Sequence, residues 1–291
     1  MFESYLVDAG RWLLGHEPIV RLSAFFGIFA LIAGWEVAAP RRARSIPRGR
    51  RWAGNLGIVL LNTASLRWFF PMGAVTFAGT AQAHGWGLLN HYELPFALAA
   101  AVSVAALDFA IYLQHVMFHA VPALWRLHRV HHADPDYDVT TGARFHPIEI
   151  GLSMGIKLAV IAVLGAPAVA VLLFEVLLNA TAMFNHGNVR LPLPVDAALR
   201  RLLVTPDMHR VHHSIEEDET NSNFGFNLSI WDRLFGTYKA QPDAGHEAMT
   251  IGIRSHRDPR EVADLPGMLV LPFLAADGGY AINRRQWGTT S

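Results

Sequence analysis

The 291-residue sequence contains no cysteine. That absence excludes disulfides, zinc ribbons, iron–sulfur clusters and a cysteine nucleophile together. Charge is also scarce: Asp, Glu, Lys and Arg make up 16% of the chain against 52% hydrophobic residues, where soluble domains run near a quarter charged. Lysine is nearly missing, with Lys157 and Lys239 its sole representatives. The formal net charge is zero, so no overall field marks a nucleic-acid binder and none is expected as a partner. The stretch Met1 to Gly15 lacks the order of a signal peptide and reads as a short amphipathic helix ahead of a membrane span. A mean hydropathy of +0.25 points the same way, to a protein that lives in a bilayer.

The apolar runs divide the chain. The first extends from about Leu22 to Ala39, long enough to cross a hydrocarbon core of ~30 Å. It is followed by a loop crowded with Arg41, Arg42, Arg44, Arg48, Arg50 and Arg51, which the positive-inside rule assigns to the cytoplasm. A second span, about Asn55 to Ala78, is interrupted by Arg67 and Pro71; Arg67 either faces the protein interior or snorkels to an interface. A third run, about Leu94 to Leu113, contains Asp108 and ends at the first histidine pair. The region from Ile148 to Met183 is broken by Gly165-Ala166-Pro167 and reads as a helical hairpin that leaves on the side it entered. From Asn185 to about Pro259 the sequence is polar and is expected to form a cytoplasmic cap, and the later apolar patch Leu265 to Leu274 is too short to span. The fold class expected is all-α: a multi-pass transmembrane bundle with a cytoplasmic helical cap. The expected division is a transmembrane region over 1–93, a catalytic domain over 94–260 and a tail over 261–291.

Histidine is the unusual residue. There are 15, ten of them between His115 and His213, and the pentapeptide His-Arg-Val-His-His occurs at His128–His132 and again at His209–His213. Histidines at i, i+3 and i+4 share one face of a helix, as do His115 and His119 at i, i+4. The second pentapeptide has a sound helix start in Thr205, Pro206 and Asp207. Imidazoles packed together without a cation would depress one another's basicity and leave ring nitrogens unpaired. A bound metal removes both problems. So many ligands exceed one ion's shell, and two ions are expected. Imidazole by itself admits zinc as well as iron; structural zinc closes a four-ligand shell, commonly with thiolates that this chain lacks. His16, His84, His91, His246 and His256 stand alone and read as ordinary side chains.

These clusters resemble the fatty acid hydroxylase superfamily, its sterol desaturase-like branch in particular. The resemblance rests on His115-Val-Met-Phe-His119, His128-Arg-Val-His131-His132, the Phe184-Asn185-His186 region and His209-Arg-Val-His212-His213. Asp108, Tyr112, Leu124-Trp125, Arg144-Phe-His146-Pro147 with Glu149, Thr205-Pro206 and Trp231 to Thr237 agree as well, and the match covers roughly Asp108 to Tyr238. One departure is Phe224, where the family more usually has Tyr.

The resemblance implies two iron ions on the cytoplasmic face and oxidation of a lipid or sterol-like substrate by O₂. Two electrons would come from a ferredoxin- or cytochrome-type donor protein. The implied ligands are His115, His119, His128, His131, His132, His186, His209, His212 and His213, with His146 a tenth candidate that could equally be structural. Asp108, Glu149 and Asp207 are candidates to orient ligands. For Asp108 a pairing with Arg67 is an equal alternative, and for Asp207 a plain helix N-terminal charge. The segment Trp231 to Tyr238 either covers the metals or packs within the cap. Separately, the excess of arginine over lysine reads as a GC-rich bacterial genome, so the setting expected is a bacterial inner membrane. Two rival classes stay open on the residues alone: a zinc-dependent lipid hydrolase, and a metal-binding membrane protein without catalysis.

Overall fold

The computed structural model describes residues 2–92 and 94–275; the end of the expected tail, 276–291, lies outside the described residues. The chain starts with α1 (Phe2–Gly15) and α2 (Glu17–Ala38), the latter with Pro18 in its first turn, where no N–H donor is needed. The next helix, α3 (Arg48–Phe69), stops just before Pro71, and α4 (Gly73–Ala83) follows. Proline cannot donate to the helix and its ring crowds the preceding turn, so the break expected within this span falls there. Arg67 is exposed rather than turned inward.

Helix α5 (Phe96–Ala120) runs past the apolar stretch ending at Leu113 and carries both His115 and His119 as continuous helix. A short α6 (Pro122–His132) holds the first pentapeptide. The hairpin is α7 (Pro147–Leu164) and α8 (Ala168–Asn185), turned at Gly165, whose φ of 72° and ψ of 39° place it in the left-handed region that glycine adopts without penalty. Each arm has 18 residues, about 27 Å of helix, so each reaches across a bilayer core. Short helices α9 (Leu193–Leu199), α10 (Pro206–His212), α11 (Glu217–Thr220), α12 (Ile230–Leu234), α13 (Gly245–Ala248) and α14 (Pro259–Val262) build the cap. The apolar patch forms α15 (Leu265–Val270), which buries Met268 beside Ile58, Trp125 and Val130.

Five segments are long and apolar enough to span a membrane: Glu17–Ala38, Arg48–Ala83, Phe96–Ala120, Pro147–Leu164 and Ala168–Asn185. The protein is an all-helical, multi-pass membrane protein; among the described residues, extended pairing is limited to three isolated bridges. Half of the apolar window of α8 is buried but 6% of that of α2, so α8 is central and α2 peripheral. In lipid there is little hydrophobic gain in bringing apolar helices together, and close packing has to supply the association. Ala74, Ala78 and Ala81 on α4 provide it, letting that helix seat against α7 and α8. The arms α7 and α8 each pack on α4 and α5 more than on each other, which leaves room between them.

A buried ionic knot joins the α3 end to the cap. Arg51 is fully buried; its Nε donates to Asp134 Oδ1 at 2.8 Å, one terminal nitrogen reaches Asp134 Oδ2 at 2.6 Å, and the other bonds Asp138. Asn55 donates to Thr140 Oγ1 at 2.9 Å, and Arg144 Nε donates to the Val130 carbonyl at 2.7 Å. Burial works against ionisation of Asp134, but the Arg51 charge and its bonds hold that carboxyl below the usual carboxylate range. The loop between α6 and α7 is thereby fixed beside the first pentapeptide.

Candidate metal centre

Nine buried imidazoles meet at the cap end of α5, α6, α8 and α10, in two groups. His115, His119, His128, His132 and His212 form one; His131, His186, His209 and His213 form the other, and within each group one nitrogen per residue lies within 4.8 Å of all the rest. The two pentapeptides are each split between the groups. On every helix the i, i+4 pair stays together (His115 with His119, His128 with His132, His209 with His213). The i+3 members, His131 and His212, cross to the neighbouring group. A step of four residues advances 400°, only 40° past a full turn, whereas His131 is offset from His132 by 100°. Each pentapeptide therefore contributes imidazoles to both groups.

Ring orientation is fixed from outside the groups. Nδ1 of His115 donates to the Phe224 carbonyl at 2.9 Å, that of His212 to the Ser222 carbonyl at 2.7 Å, and that of His186 to the Ala182 carbonyl at 2.8 Å. His128 Nδ1 meets Glu149 Oε1 at 2.6 Å, and His119 Nδ1 meets Asn221 Oδ1 at 3.2 Å. Each such bond leaves an Nε2 lone pair pointing inward, the tautomer a metal requires.

The donor set fits two cations. Nε2 of His115, His128 and His212 is buried with no partner among the described residues. His186 Nε2 lies 3.1 Å from Nε2 of both His131 and His209, and His119 Nε2 lies 3.2 Å from that of His132. Ligands at about 2.1 Å from one ion stand about 3.0 Å apart along an octahedral edge, so these separations suit a shared metal. Burial, followed by repulsion among neighbouring imidazoles, holds His131, His132, His209, His212 and His213 neutral far below the ordinary histidine range, and burial pushes His128 down to about 3. Neutral imidazole is the ligand form.

The remaining sequence candidates fall elsewhere. His146 joins neither group: it caps α7, its Nδ1 accepting from the Ile148 N–H at 3.2 Å while Nε2 faces the Leu269 carbonyl at 3.3 Å. Pro147 begins the helix there and keeps His146 extended, turned away from the imidazole cluster. Asp108 reaches neither an imidazole nor Arg67. It accepts from Trp231 Nε1 at 2.8 Å and from the backbone of Asn227 and Leu228 at 3.3 Å, tethering the loop whose Phe224 carbonyl orients His115. Asp207 pairs with Arg210 and Arg41 instead of a histidine of either group. Glu149 alone of the three carboxylates bonds an imidazole of the groups. Trp231 and Asp232 pack the cap: Asp232 accepts from the Phe224 and Gly225 N–H groups at 2.7 and 2.8 Å.

A cavity of about 330 Å³ opens among α2, α3, α5, α7 and α8 and ends on His115, His128 and Glu149. Phe118, Phe145, Ile111, Met154 and Phe226 line it. The five-histidine group thus faces a largely apolar space between membrane helices.

Residues 100–237 match the fatty acid hydroxylase family. The chain carries a fatty acid hydroxylase domain. It is 31% identical to ornithine lipid hydroxylase OlsE of Rhizobium tropici over 177 residues, 60% of this chain and 51% of that protein. It is also 31% identical to human alkylglycerol monooxygenase over 140 residues, 46% of this chain and 29% of that one. A very-long-chain aldehyde decarbonylase of rice matches over 157 residues at 31% identity. The chain therefore spans about half the length of OlsE and less of the others. No solved structure matches it significantly.

Sequence reading of this fatty acid hydroxylase domain missed the residues that orient the rings through backbone carbonyls, since a carbonyl leaves no side-chain signature. Asn221 was readable only as one polar residue in a polar cap. For Glu149, replacement by Gln keeps a hydrogen-bond acceptor but exchanges the carboxyl group opposite His128 for a less basic amide. The expected result is a 10–100-fold loss of metal affinity at the five-histidine group, read by competition with a chelator.

The neutral cluster also sets a pH dependence. The imidazoles of His128, His131, His132, His209, His212 and His213 have folded values depressed far below the unfolded ~6.5. The unfolded chain therefore binds more protons as pH falls below about 6.5, and stability is lost in that direction. Metal-free protein is expected to melt at a clearly lower temperature at pH 5 than at pH 7.5; equal midpoints would contradict buried neutral imidazoles.

Proposed function

We propose that this chain is a membrane-bound di-iron oxygenase that hydroxylates a C–H bond of a lipid, using O₂ and two electrons from a redox partner. The observation that carries the reading is the apolar cavity running from between the membrane helices to His115 and His128. Two further points support it: the family of the domain and the naming of its relatives as lipid hydroxylase and monooxygenase.

Iron, when bound, would supply the oxygen chemistry. His115, His119, His128, His132 and His212 would hold one ion, and His131, His186, His209 and His213 the other. Five imidazoles exceed the closed four-ligand shell of structural zinc, and a four-imidazole site leaves positions for a further ligand. The chain's own task is to hold these rings neutral, to fix the tautomers of five of them through Glu149, Asn221 and the three carbonyls, and to present the substrate from lipid with water excluded by Phe118, Phe145 and Phe226. The arginine-rich loop after α2 supports a cytoplasmic position for the cap, within reach of a soluble ferredoxin- or cytochrome-type donor.

Metal analysis of purified protein, followed by lipid oxidation with and without O₂ and reductant, tests the reading. Iron near two per chain with product formed only when both are supplied is expected. Zinc with turnover independent of reductant would replace the oxygenase by a hydrolase.

A further inference from the structure

The cavity is not uniformly apolar. Down α7, Glu149, Ser153 and Lys157 recur at every fourth residue and all face the cavity. Opposite them on α8 stand Glu175 and Asn179, and Arg21 reaches in from α2. Glu175 accepts from Arg21 at 2.6 Å through Oε2 and from Lys157 at 2.6 Å through Oε1, and Arg21 Nε donates to Glu17 at 2.8 Å. All three helices are candidate membrane spans. Ionised groups at that depth are costly, and they mark functional positions unless structure alone accounts for them.

Structure alone accounts for too little here. Arg21 and Lys157 both converge on Glu175, and Glu17 balances the second charge, so what the ion pairs leave over is hydrogen-bonding capacity. Arg21 and Lys157 offer eight N–H donors, and three bonds use them among the described residues. The surplus is of donors, and it lies beside open space. The Lys157 side chain is 12% exposed and that of Glu175 is 10%. A second space of about 190 Å³ on the α2–α8 flank shares Arg21, Phe25 and Asn179 with the first. Arg21 therefore stands between the two spaces, with Lys157 and Glu175 on the inner one.

We propose that Arg21, Lys157 and Glu175 form a polar subsite that binds an anionic oxygen of the substrate lipid, a carboxylate or a phosphate, at the entrance to the cavity. Lys157 and Arg21 donate to that oxygen, and Glu175 keeps both cations in place. Lys157 follows Glu149 by eight residues, about 12 Å along the helix. The bound anion and the bond facing His115 and His128 are separated by a distance of that order. A cavity of about 330 Å³ has room for about a dozen heavy atoms, so the intervening stretch belongs to one short segment of the lipid. This subsite rests on the cavity being the substrate site of the oxygenase reading.

The test is binding, which needs no turnover and so stands apart from whether the protein hydroxylates anything. Spin-labelled stearic acid, its methyl ester and spin-labelled phosphatidylglycerol are added at pH 8 to the metal-loaded protein in neutral detergent, and immobilisation is followed by electron paramagnetic resonance. One anion or the other is expected to bind about tenfold tighter than the ester, and which one does so separates carboxylate from phosphate. Lys157→Met should erase the preference, Lys157→Arg should keep it, and Arg21→Gln should weaken it, with two metals retained in each. Ester and anions bound alike by the unaltered protein would overturn the proposal, as would a preference that survives both Lys157→Met and Arg21→Gln.

Discussion

Replacing His132 by alanine is expected to lower the metal content from the two ions per chain proposed above to about one and to abolish the proposed lipid oxidation. His132 and its i+4 partner His128 belong to the same five-membered group, and removing one leaves four imidazoles around a space shaped for five. The lost ring also uncovers His119 Nε2, which it faces at 3.2 Å, and its stacked neighbour His213 at 4.6 Å between centroids. His213→Ala removes a ligand from the second group and should cost the other ion. An oxygen reaction that needs both ions then falls by at least about a thousandfold in either variant, of the order seen when one member of a cooperating constellation is deleted. Metal counts distinguish the two groups: a variant pair that each retained two ions would show that the groups do not correspond to separate ions. His146→Ala, by contrast, should retain both ions and lose only a helix cap, about 1 kcal/mol.

Arg51→Met should lower the stability of the folded protein by about 3–5 kcal/mol, because Asp134 and Asp138 lose the guanidinium that neutralises them in a buried site. They keep the weaker support of Thr141, Thr140, Trp52 and a more distant Arg144 at 3.9 Å. Both carboxylates and the guanidinium are fully out of solvent. The damage should spread to the metals. The same loop carries Gly142, packed so closely that an added Cβ would stand 2.5 Å from the Ala182 carbonyl and 3.1 Å from His186 Nδ1. A thermal-unfolding midpoint and iron content measured together check this, and a variant that melts with the unaltered protein would show the knot to be dispensable. Partial recovery is expected when Asp134 is changed to Asn in the same chain, since one of the two stranded charges is then gone.

Much of this architecture was readable beforehand for specific physical reasons. Hydrocarbon thickness demands long apolar runs, so the spans announced themselves. Pro71 and the Gly165–Pro167 stretch marked real breaks because proline and left-handed glycine leave few alternatives. The histidines were readable because helical ligands must recur at three and four residues. The division of each pentapeptide between two groups was not, since it depends on how α5, α6 and α10 are rotated against one another, and the motif is silent on that. His146 shared the family context of the ligands but sits before a proline that turns it aside. Asp108 lies two turns below His115 on the same face, as spacing suggested, yet Trp231 and two backbone N–H groups claim it. Such long-range partners, 119–123 residues away in the chain, have no local signature.

The scattering of the nine imidazoles along the chain has a consequence for how the protein is made. His115 emerges early, but the five-histidine group lacks its last member until residue 212 is synthesised, and the other group until residue 213. By then all five spans have been translated. On the proposed two-metal reading, neither ion would find a finished shell on a partly inserted chain, and metal loading would follow translation of every span. A ribosome stalled before the second pentapeptide would leave a membrane-inserted chain with neither shell complete.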